Sequence, residues 1–455
     1  MTTTIIICIL GILCLLSEIV GFKKLLLPLV FVGLTLALIF SLNDWNTNNS
    51  YFNDMVVFDN YALAFTSLII LLSIIWFIIS PPFFIDTKNE SDHYSLIIFS
   101  LIGGVIMTAF NNMIMLFLGI EILSISLYVL AGSNKSLLSS NEAALKYFLM
   151  GAFATGFLLF GITLIYGQTA SFNLMEIAHA LASNSGNKEM IYTGIFMIMI
   201  AMSFKVSVVP FHFWAPDVYQ GSPTVITAFM STAVKTAAFA AFLRLFITSF
   251  KDVEPVWSST LLIISAATIL IGNITAVYQT NFKRMLAYSS ISHAGYMLLA
   301  ILSMNNMSSA SLLFYTLAYS FSSITSFAVL LLVNKSTGNE SIESFNGLAR
   351  RNPLFATVVI IAMLSLAGIP PTAGFFAKYY IFSAAIQNNL TGLVLIALAG
   401  SLIGVFYYFK IIIALFRDKE TPKMELNTGF KMVLIITSIV TMVLGILPGL
   451  VADLL

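Results

Sequence analysis

Charge is scarce in this sequence. Only 9% of the 455 residues are Asp, Glu, Lys or Arg, against roughly 25% in an ordinary soluble domain. Hydrophobic residues make up 59% of the chain, and the mean hydropathy is +0.97. A water-soluble fold cannot bury that much apolar surface, whereas a lipid bilayer accepts it. The composition therefore predicts an integral membrane protein, and a net charge of +1 gives no reason to expect a nucleic-acid partner.

Cysteine is almost absent. Cys8 and Cys14 both lie in the first apolar segment. Two thiols cannot hold an iron–sulfur cluster, and no CxxC or Cys/His set predicts a metal site. The sequence also lacks a glycine-rich phosphate loop, which argues against an ATP-driven pump. We therefore expect this chain to bind no cofactor and no metal.

Long apolar runs dominate what the sequence does contain. A helix needs about 20 apolar residues to cross the hydrocarbon core, and we count fourteen such segments. They predict an all-α integral membrane fold. A further short amphipathic helix is predicted over Phe172–Ala182. The fourteen predicted spans cover about 3–20, 24–42, 59–80, 94–109, 112–132, 142–167, 191–213, 222–249, 256–279, 283–303, 308–334, 352–385, 391–416 and 431–451.

Basic residues concentrate in alternate connections between the predicted spans. One set of connections holds most of the loop lysines and arginines, whereas the other set holds only Lys188 and Lys251. Membrane proteins retain their loop Lys and Arg residues on the cytoplasmic side. With fourteen spans, the pattern predicts that the side rich in basic residues is cytoplasmic and that both termini face outside.

Two of the predicted spans are interrupted. The seventh contains Pro210, and the twelfth contains Pro370 and Pro371 between Gly368 and Gly374. Proline removes a backbone donor, and broken backbone at membrane depth is tolerated only when it is buried or lines a wet cavity. Interrupted helices five spans apart favour two inverted five-helix repeats, helices 4–8 and 9–13, with a transport site at their interface. Two unrelated kinks are the alternative.

The repeat hypothesis divides a single polytopic membrane domain into four parts. The predicted parts are the N-terminal helices 1–3 at residues 1–93, repeat one at 94–249, repeat two at 256–416 and helix 14 at 431–455.

Five ionisable residues lie well inside predicted spans: Glu121, Lys205, Lys235, His293 and Lys378. One lysine at the centre of a membrane helix costs about 3 kcal/mol. Burial disfavours the charged form of a side chain, and a nearby opposite charge favours it. A buried lysine with a movable carboxylate partner can therefore alternate between charged and neutral forms. A proton relay needs this property, with water bridging the gaps between side chains.

Static ion pairs that hold helices together are the alternative explanation for these charges. One carboxylate cannot pair with three lysines, so the excess of cations favours the relay. His293 is compatible with a relay role or with a buried hydrogen-bonding role. Lys146 can form an i,i+4 pair with Glu142, and the alternative is that it links Glu121 to Lys205. Arg244 and Lys410 lie near span ends and can snorkel.

Three longer stretches, Phe204–Gly221, Gln279–Tyr296 and Leu364–Lys378, carry a resemblance to a known family. They resemble the signature of the subunit N family of bacterial respiratory complex I (NADH-quinone oxidoreductase), whose members are antiporter-like membrane subunits. The likeness extends over essentially all fourteen spans. Position 378 is lysine, where the related subunit M type is expected to carry glutamate.

The resemblance implies a proton-translocating subunit of a larger enzyme, with NADH and quinone used by other subunits. Glu121 and Lys205 would form a paired switch, Lys235 would be the central carrier and Lys378 the terminal residue toward the outside. His293 matches a family histidine. The implied partners are the other antiporter-like and small membrane subunits, in the lipid bilayer of the bacterial inner (plasma) membrane.

Two other functions are compatible with the sequence. The chain could be an independent secondary transporter, or a component of a multisubunit sodium/proton antiporter, which co-purification with redox subunits would discriminate. It could also be purely structural, which the effect on pumping of neutralising Lys235 would test.

Overall fold

The computed structural model describes residues 1–21, 25–84, 90–183, 187–418, 424 and 428–454, and its ordered elements are almost all helical. The elements in chain order are α1 Thr2–Val20, α2 Leu26–Asn43, β1 Asn49–Tyr51, β2 Val56–Phe58, α3 Asn60–Ile79, α4 Pro81–Phe84, α5 Glu90–Ala109, α6 Met113–Ala131, α7 Leu138–Thr169, α8 Leu174–Ala182, α9 Lys188–Val206, α10 Trp214–Gly221, α11 Thr224–Phe229, a π-helical turn Met230–Val234, α12 Lys235–Ser249, a 3₁₀ turn Lys251–Val253, α13 Glu254–Val277, α14 Phe282–Ser303, α15 Ser308–Thr337, a 3₁₀ turn Ile342–Phe345, α16 Leu348–Arg351, α17 Pro353–Ala367, α18 Ala373–Gln387, α19 Thr391–Phe416, α20 Thr428–Leu444 and α21 Gly449–Ala452.

The predicted spans are all present as helices. Within the described ranges, twelve helices are long and apolar enough to cross a bilayer, counting α11, the π turn and α12 as one helix. The two other predicted spans are the shorter apolar helix α20 and the interrupted pair α17 and α18. The all-α membrane fold is therefore confirmed, and most span boundaries differ from prediction by only a few residues.

The connection between α2 and α3 contains structure that the sequence analysis did not predict. Strands β1 and β2 form an antiparallel hairpin in which Asn49 faces Phe58. The predicted amphipathic helix is α8, and it begins at Leu174 because the Asn173 side chain accepts from the N–H groups of Met175 and Glu176.

The backbone forms two compact units. The first contains Met1–Val206 and Ala233–Thr260, and the second contains Ser207–Thr232 and Leu261–Leu455. Within the first unit α5 packs against α1 and α6, and α7 packs against α9; within the second, α15 packs against α17 and α18. Small residues allow the closest helix approaches, as in other membrane bundles. A Cβ on Gly161 of α7 would lie 2.7 Å from the Gly194 carbonyl oxygen of α9.

One capping arrangement occurs in each unit. The Asn112 side chain caps α6, and the Asn281 side chain caps α14. An isolated antiparallel bridge then joins each asparagine to a segment beyond the next long helix, Asn112 to Asn173 and Asn281 to Ser341. The same pattern of two backbone hydrogen bonds flanks each bridge. This correspondence aligns α6 with α14 and α7 with α15. It supports repeated halves, while the division at residues 94–249 and 256–416 stays a prediction.

Both predicted helix breaks are present. Helix α9 ends before Ser207, which has a left-handed φ of 63°, and α17 ends before Gly368, with φ 83°. Each left-handed residue is followed three positions later by a cis proline, Pro210 or Pro371. Beyond the second break, the Gly374 N–H donates to Ser365 Oγ at 3.2 Å. The break is therefore a closely packed backbone segment.

Candidate functional site

The predicted site residues all lie in helices of the described structure. Lys205, Lys235, His293 and Lys378 are 8%, 4%, 4% and 8% exposed, and Glu121 is half-buried. Each lysine lies beside a departure from α-helical backbone. Lys205 is at the end of α9, Lys235 follows the π turn, and Lys378 is in the second turn after the Gly368 break. Irregular backbone of this kind recurs at functional sites in membrane helices.

In the first unit, Lys205 and Glu121 each bind a hydroxyl group. The Lys205 Nζ donates to Ser124 Oγ at 2.7 Å, and Thr155 Oγ1 donates to Glu121 Oε1 at 2.7 Å. Among the described side chains, no ion pair within 4.0 Å joins Glu121 to Lys205. Glu121 and Lys205 therefore each contact a hydroxyl group rather than each other.

A small cavity of about 20 Å³ adjoins this pair, which is room for about one water molecule. Its polar lining includes Ser124, Thr155 and Lys205, and apolar side chains complete the wall. Tyr128 also reaches the cavity because Gly151 has no side chain; a Cβ on Gly151 would overlap the Tyr128 hydroxyl.

Lys235 is buried within the span Thr224–Ser249. It is the first residue of α12, directly after the π turn Met230–Val234. A π turn displaces one backbone hydrogen bond and is common where a helix carries a functional group. Every residue in the apolar window of Thr224–Ser249 is buried.

In the second unit, His293 binds tyrosine hydroxyls through both ring nitrogens. Its Nδ1 lies 2.7 Å from Tyr315 Oη, and its Nε2 lies 3.1 Å from Tyr408 Oη. Tyr408 Oη in turn lies 2.5 Å from Ser289 Oγ. Each hydroxyl can donate or accept, so both imidazole tautomers can be satisfied. This geometry is compatible with either role considered for His293.

Lys378 is held by uncharged groups. Its Nζ donates to the Ala367 carbonyl oxygen at 2.7 Å and to Ser401 Oγ at 2.8 Å. It also lies 5.3 Å from the Tyr296 ring centroid, a distance typical of a cation–π contact. Ala367 is the last residue of α17, so its carbonyl has no partner in the next helical turn. The break thereby supplies an acceptor for the lysine.

Two other buried cations are paired with carboxylates. Lys283, 2% exposed, lies 3.5 Å from Glu340 and donates to the Ser222 carbonyl oxygen at 2.5 Å. Arg244 pairs with Asp59, and its side chain is only 9% exposed. Asp59 is the N-cap residue of α3 and is itself half-exposed, so the Arg244 guanidinium reaches a carboxylate at the end of a span; its snorkelling stays a prediction.

Some of the other side-chain contacts were predicted from the sequence, and some were not. The predicted pair between Lys146 and Glu142 is confirmed at 2.6 Å. Thr155, Tyr315 and Tyr408 were not predicted from the sequence as members of the site. Residues with hydroxyl groups are common within apolar spans, so one of them does not indicate a site unless its spatial neighbours are known.

Comparison with known proteins identifies the family. Residues 110–404 match the family described as NADH:quinone oxidoreductase/Mrp antiporter, TM. A relative from Cytophaga hutchinsonii, NADH-quinone oxidoreductase subunit N, is 44% identical over 453 residues, and the alignment covers 98% of each chain. This chain belongs to the subunit N family. The resemblance inferred from the three sequence stretches is confirmed.

Solved structures agree with the subunit N assignment. A chain of respiratory complex I from Thermus thermophilus is 33% identical, with a TM-score of 0.87 and coverage of 99% of this chain and 98% of that chain. A chain of the Mrp complex from Dietzia sp. is 20% identical, with a TM-score of 0.89 and coverage of 99% and 95%; it shares the fold. The present subunit N family member is thus an antiporter-like, multi-pass membrane subunit of NADH-quinone oxidoreductase, a proton-translocating enzyme.

Proposed function

We propose that this chain moves protons through Glu121, Lys205, Lys235, His293 and Lys378, coupled to quinone reduction in other subunits. The observation that carries the proposal is the environment of Lys205 and Lys378. Both ammonium groups are buried, and their hydrogen bonds go to hydroxyl or carbonyl oxygens rather than to carboxylates. A buried cation without a paired anion is more easily neutralised than one in an ion pair.

Buried cations that pair with carboxylates suit a structural role, whereas those bound by neutral oxygens suit proton transfer. Lys283 and Arg244 have carboxylate partners, as static structural charges do. Lys205 and Lys378 have none within the described ion pairs, so either can release a proton without leaving a buried carboxylate unpaired. A shift of Glu121 relative to Lys205 would change the local potential and bias that release. Lys235 would then act as the central carrier and Lys378 as the terminal one.

The expected partners and substrates of the whole complex follow from membership of the subunit N family. Other antiporter-like and small membrane subunits would be the partners, NADH and quinone would be used elsewhere in the complex, and this chain would bind neither. A tagged chain should co-purify with redox subunits from bacterial inner membranes. Isolation without them would favour an independent transporter.

Replacing Lys235 with methionine tests the relay against a structural role. We expect the protons pumped per NADH oxidised, or coupled NADH oxidation itself, to fall while the subunit content of the complex stays normal, because methionine fills similar space but carries no proton. Lys188→Met, at the exposed start of α9, is the matched control and should pump normally. Normal pumping by an assembled Lys235→Met complex would contradict the relay.

Orientation is a separate prediction. We expect both termini to face outside, so alkaline phosphatase fused after the last residue should be active. Several basic residues behind this expectation lie outside the described ranges: Lys23, Lys24, Lys88, Lys419 and Lys423. Fluorescence from a C-terminal green fluorescent protein, together with an inactive phosphatase fusion, would show that the C-terminus is cytoplasmic.

A further inference from the structure

The hydroxyl groups that bind Glu121 and Lys205 have defined hydrogen-bond directions. Thr155 donates its proton to Glu121, so its oxygen lone pairs remain able to accept. Ser124 donates to the Ile120 carbonyl oxygen at 2.5 Å and accepts from Lys205. Within the described structure Ser124 is the one hydrogen-bond partner of the Lys205 ammonium, which leaves two N–H groups of that ammonium. Both hydroxyl residues and Lys205 line the same cavity.

The internal correspondence of the two units supports a functional position for Ser124. Ser124 lies twelve residues after Asn112, which caps α6. His293 lies twelve residues after Asn281, whose side chain caps α14. Ser124 and His293 therefore occupy the same position on equivalent helices. Each is buried and engaged with a group that can exchange protons, Lys205 in one unit and tyrosine hydroxyls in the other.

We propose that Thr155 relays protons between Lys205 and Glu121 through one water molecule in the cavity, and that Ser124 is the positioning residue that holds the ammonium there. This inference rests on the proposed function and extends it to two residues. A protonated Glu121 gives its proton to Thr155 Oγ1, Thr155 gives its own to the water, and the water gives one to the neutral Lys205 amine. The products are a carboxylate that accepts from Thr155 and an ammonium, as observed, and the total charge is unchanged.

The cavity has the polar contacts that such a water requires. A buried water makes two to four hydrogen bonds, and the ammonium and the Thr155 oxygen supply a donor and an acceptor. Removing the threonine hydroxyl would leave the water with too few partners, and the carboxylate would also lose its donor. The relay therefore depends on the hydroxyl oxygen itself and not on the bulk of the side chain.

Thr155→Val and Thr155→Ser test whether pumping depends on the hydroxyl oxygen or on the bulk of the side chain. Valine keeps the shape and removes the oxygen, whereas serine keeps the oxygen and removes a methyl group. We expect NADH-driven proton uptake into inverted vesicles, per assembled complex, to fall about tenfold in Thr155→Val and to stay near the parent rate in Thr155→Ser. The pH dependence of uptake should shift in the valine variant and return with serine. A packing role predicts the reverse order, since valine preserves the packed volume better.

Ser124→Ala is the second variant, and it should also lower NADH-driven proton uptake. Two matched controls remove hydroxyls from the same helices without touching the cavity. Thr163→Val on α7 and Ser126→Ala on α6 each remove a bond to a backbone carbonyl oxygen only, and both should pump normally.

Glu121→Gln and Lys205→Met distinguish failure of this inference from failure of the proposed function. If they lose pumping while Thr155→Val and Ser124→Ala keep it, the hydroxyl relay is overturned and the proposed function stands. If serine at position 155 fails as valine does, the relay role of the hydroxyl is also overturned. If Glu121→Gln and Lys205→Met pump normally in assembled complexes, the proposed function itself fails.

Discussion

Arginine in place of Lys378 should abolish most NADH-driven proton pumping, although it keeps the positive charge. A relay lysine must become neutral during turnover, and a guanidinium is effectively always charged. The carbonyl and hydroxyl oxygens around Nζ can accept hydrogen bonds from either cation. The loss should therefore come from the proton that arginine cannot release. We expect at least about a tenfold fall in coupled uptake.

Steric effects need their own control, because the Lys378 side chain lies directly over Gly368. Lys378→Met has similar bulk and no charge, and it should also fail to pump. Lys410→Arg is the matched control for the chemical change, since Lys410 lies on α19 and donates to the Gln279 carbonyl oxygen at 3.1 Å. It should pump normally. Proton uptake is measured in inverted vesicles at equal content of assembled complex.

One outcome would remove Lys378 from the relay. If Lys378→Arg pumps at the parent rate while Lys378→Met and Lys378→Ala do not, a fixed positive charge is sufficient at this position. Lys378 would then be an electrostatic structural residue, whatever the roles of Lys205 and Lys235.

Alanine in place of Gly374 should prevent normal accumulation of the subunit. A Cβ at this position would overlap the Ser365 carbonyl oxygen, which is backbone and cannot rotate away. Overpacking typically costs about 1–3 kcal/mol, and we expect the upper end or more because two helix segments must separate. Helix propensity alone predicts the opposite sign, since alanine is favoured over glycine by up to about 1 kcal/mol.

Gly392→Ala is the matched control for this substitution. Gly392 lies in the first turn of α19, as Gly374 does in α18, and a Cβ there meets nothing within 4 Å. The measurement is the amount of subunit in purified membranes and the temperature at which the detergent-solubilised complex loses it. Equal behaviour of the two variants would show that the close approach at Gly374 contributes little to stability.

The sequence predicted the number and type of spanning elements because the signals are local. In lipid every backbone polar group must be satisfied within its own helix, so an apolar run of sufficient length specifies a span without reference to the rest of the chain. Pro210 and Pro371 likewise indicated the breaks, because proline interrupts a helix whatever its neighbours. The β hairpin at Asn49–Phe58 was missed because its strands are three residues long, too short for a periodic pattern.

Buried charge was also visible in the sequence, and Glu121, Lys205, Lys235, His293 and Lys378 were identified from it. The same evidence did not separate Lys205 from Arg244, since both are cations in or near an apolar span. The two cations differ in the oxygen atom that they bind. Lys205 binds a serine hydroxyl, and Arg244 binds the Asp59 carboxylate. These partners lie 81 and 185 residues away along the chain.

By itself, then, the sequence determined the membrane fold, the breaks, the family and the ionisable residues that lie within spans. Only the tertiary structure decided which of those residues have neutral partners, and it brought Thr155 and Ser124 to the cavity beside Lys205. The physical reason is the range of each effect. The span length and the proline breaks are set over a few consecutive residues, whereas the free energy of a buried charge depends on atoms within a few ångströms, which packing draws from distant helices.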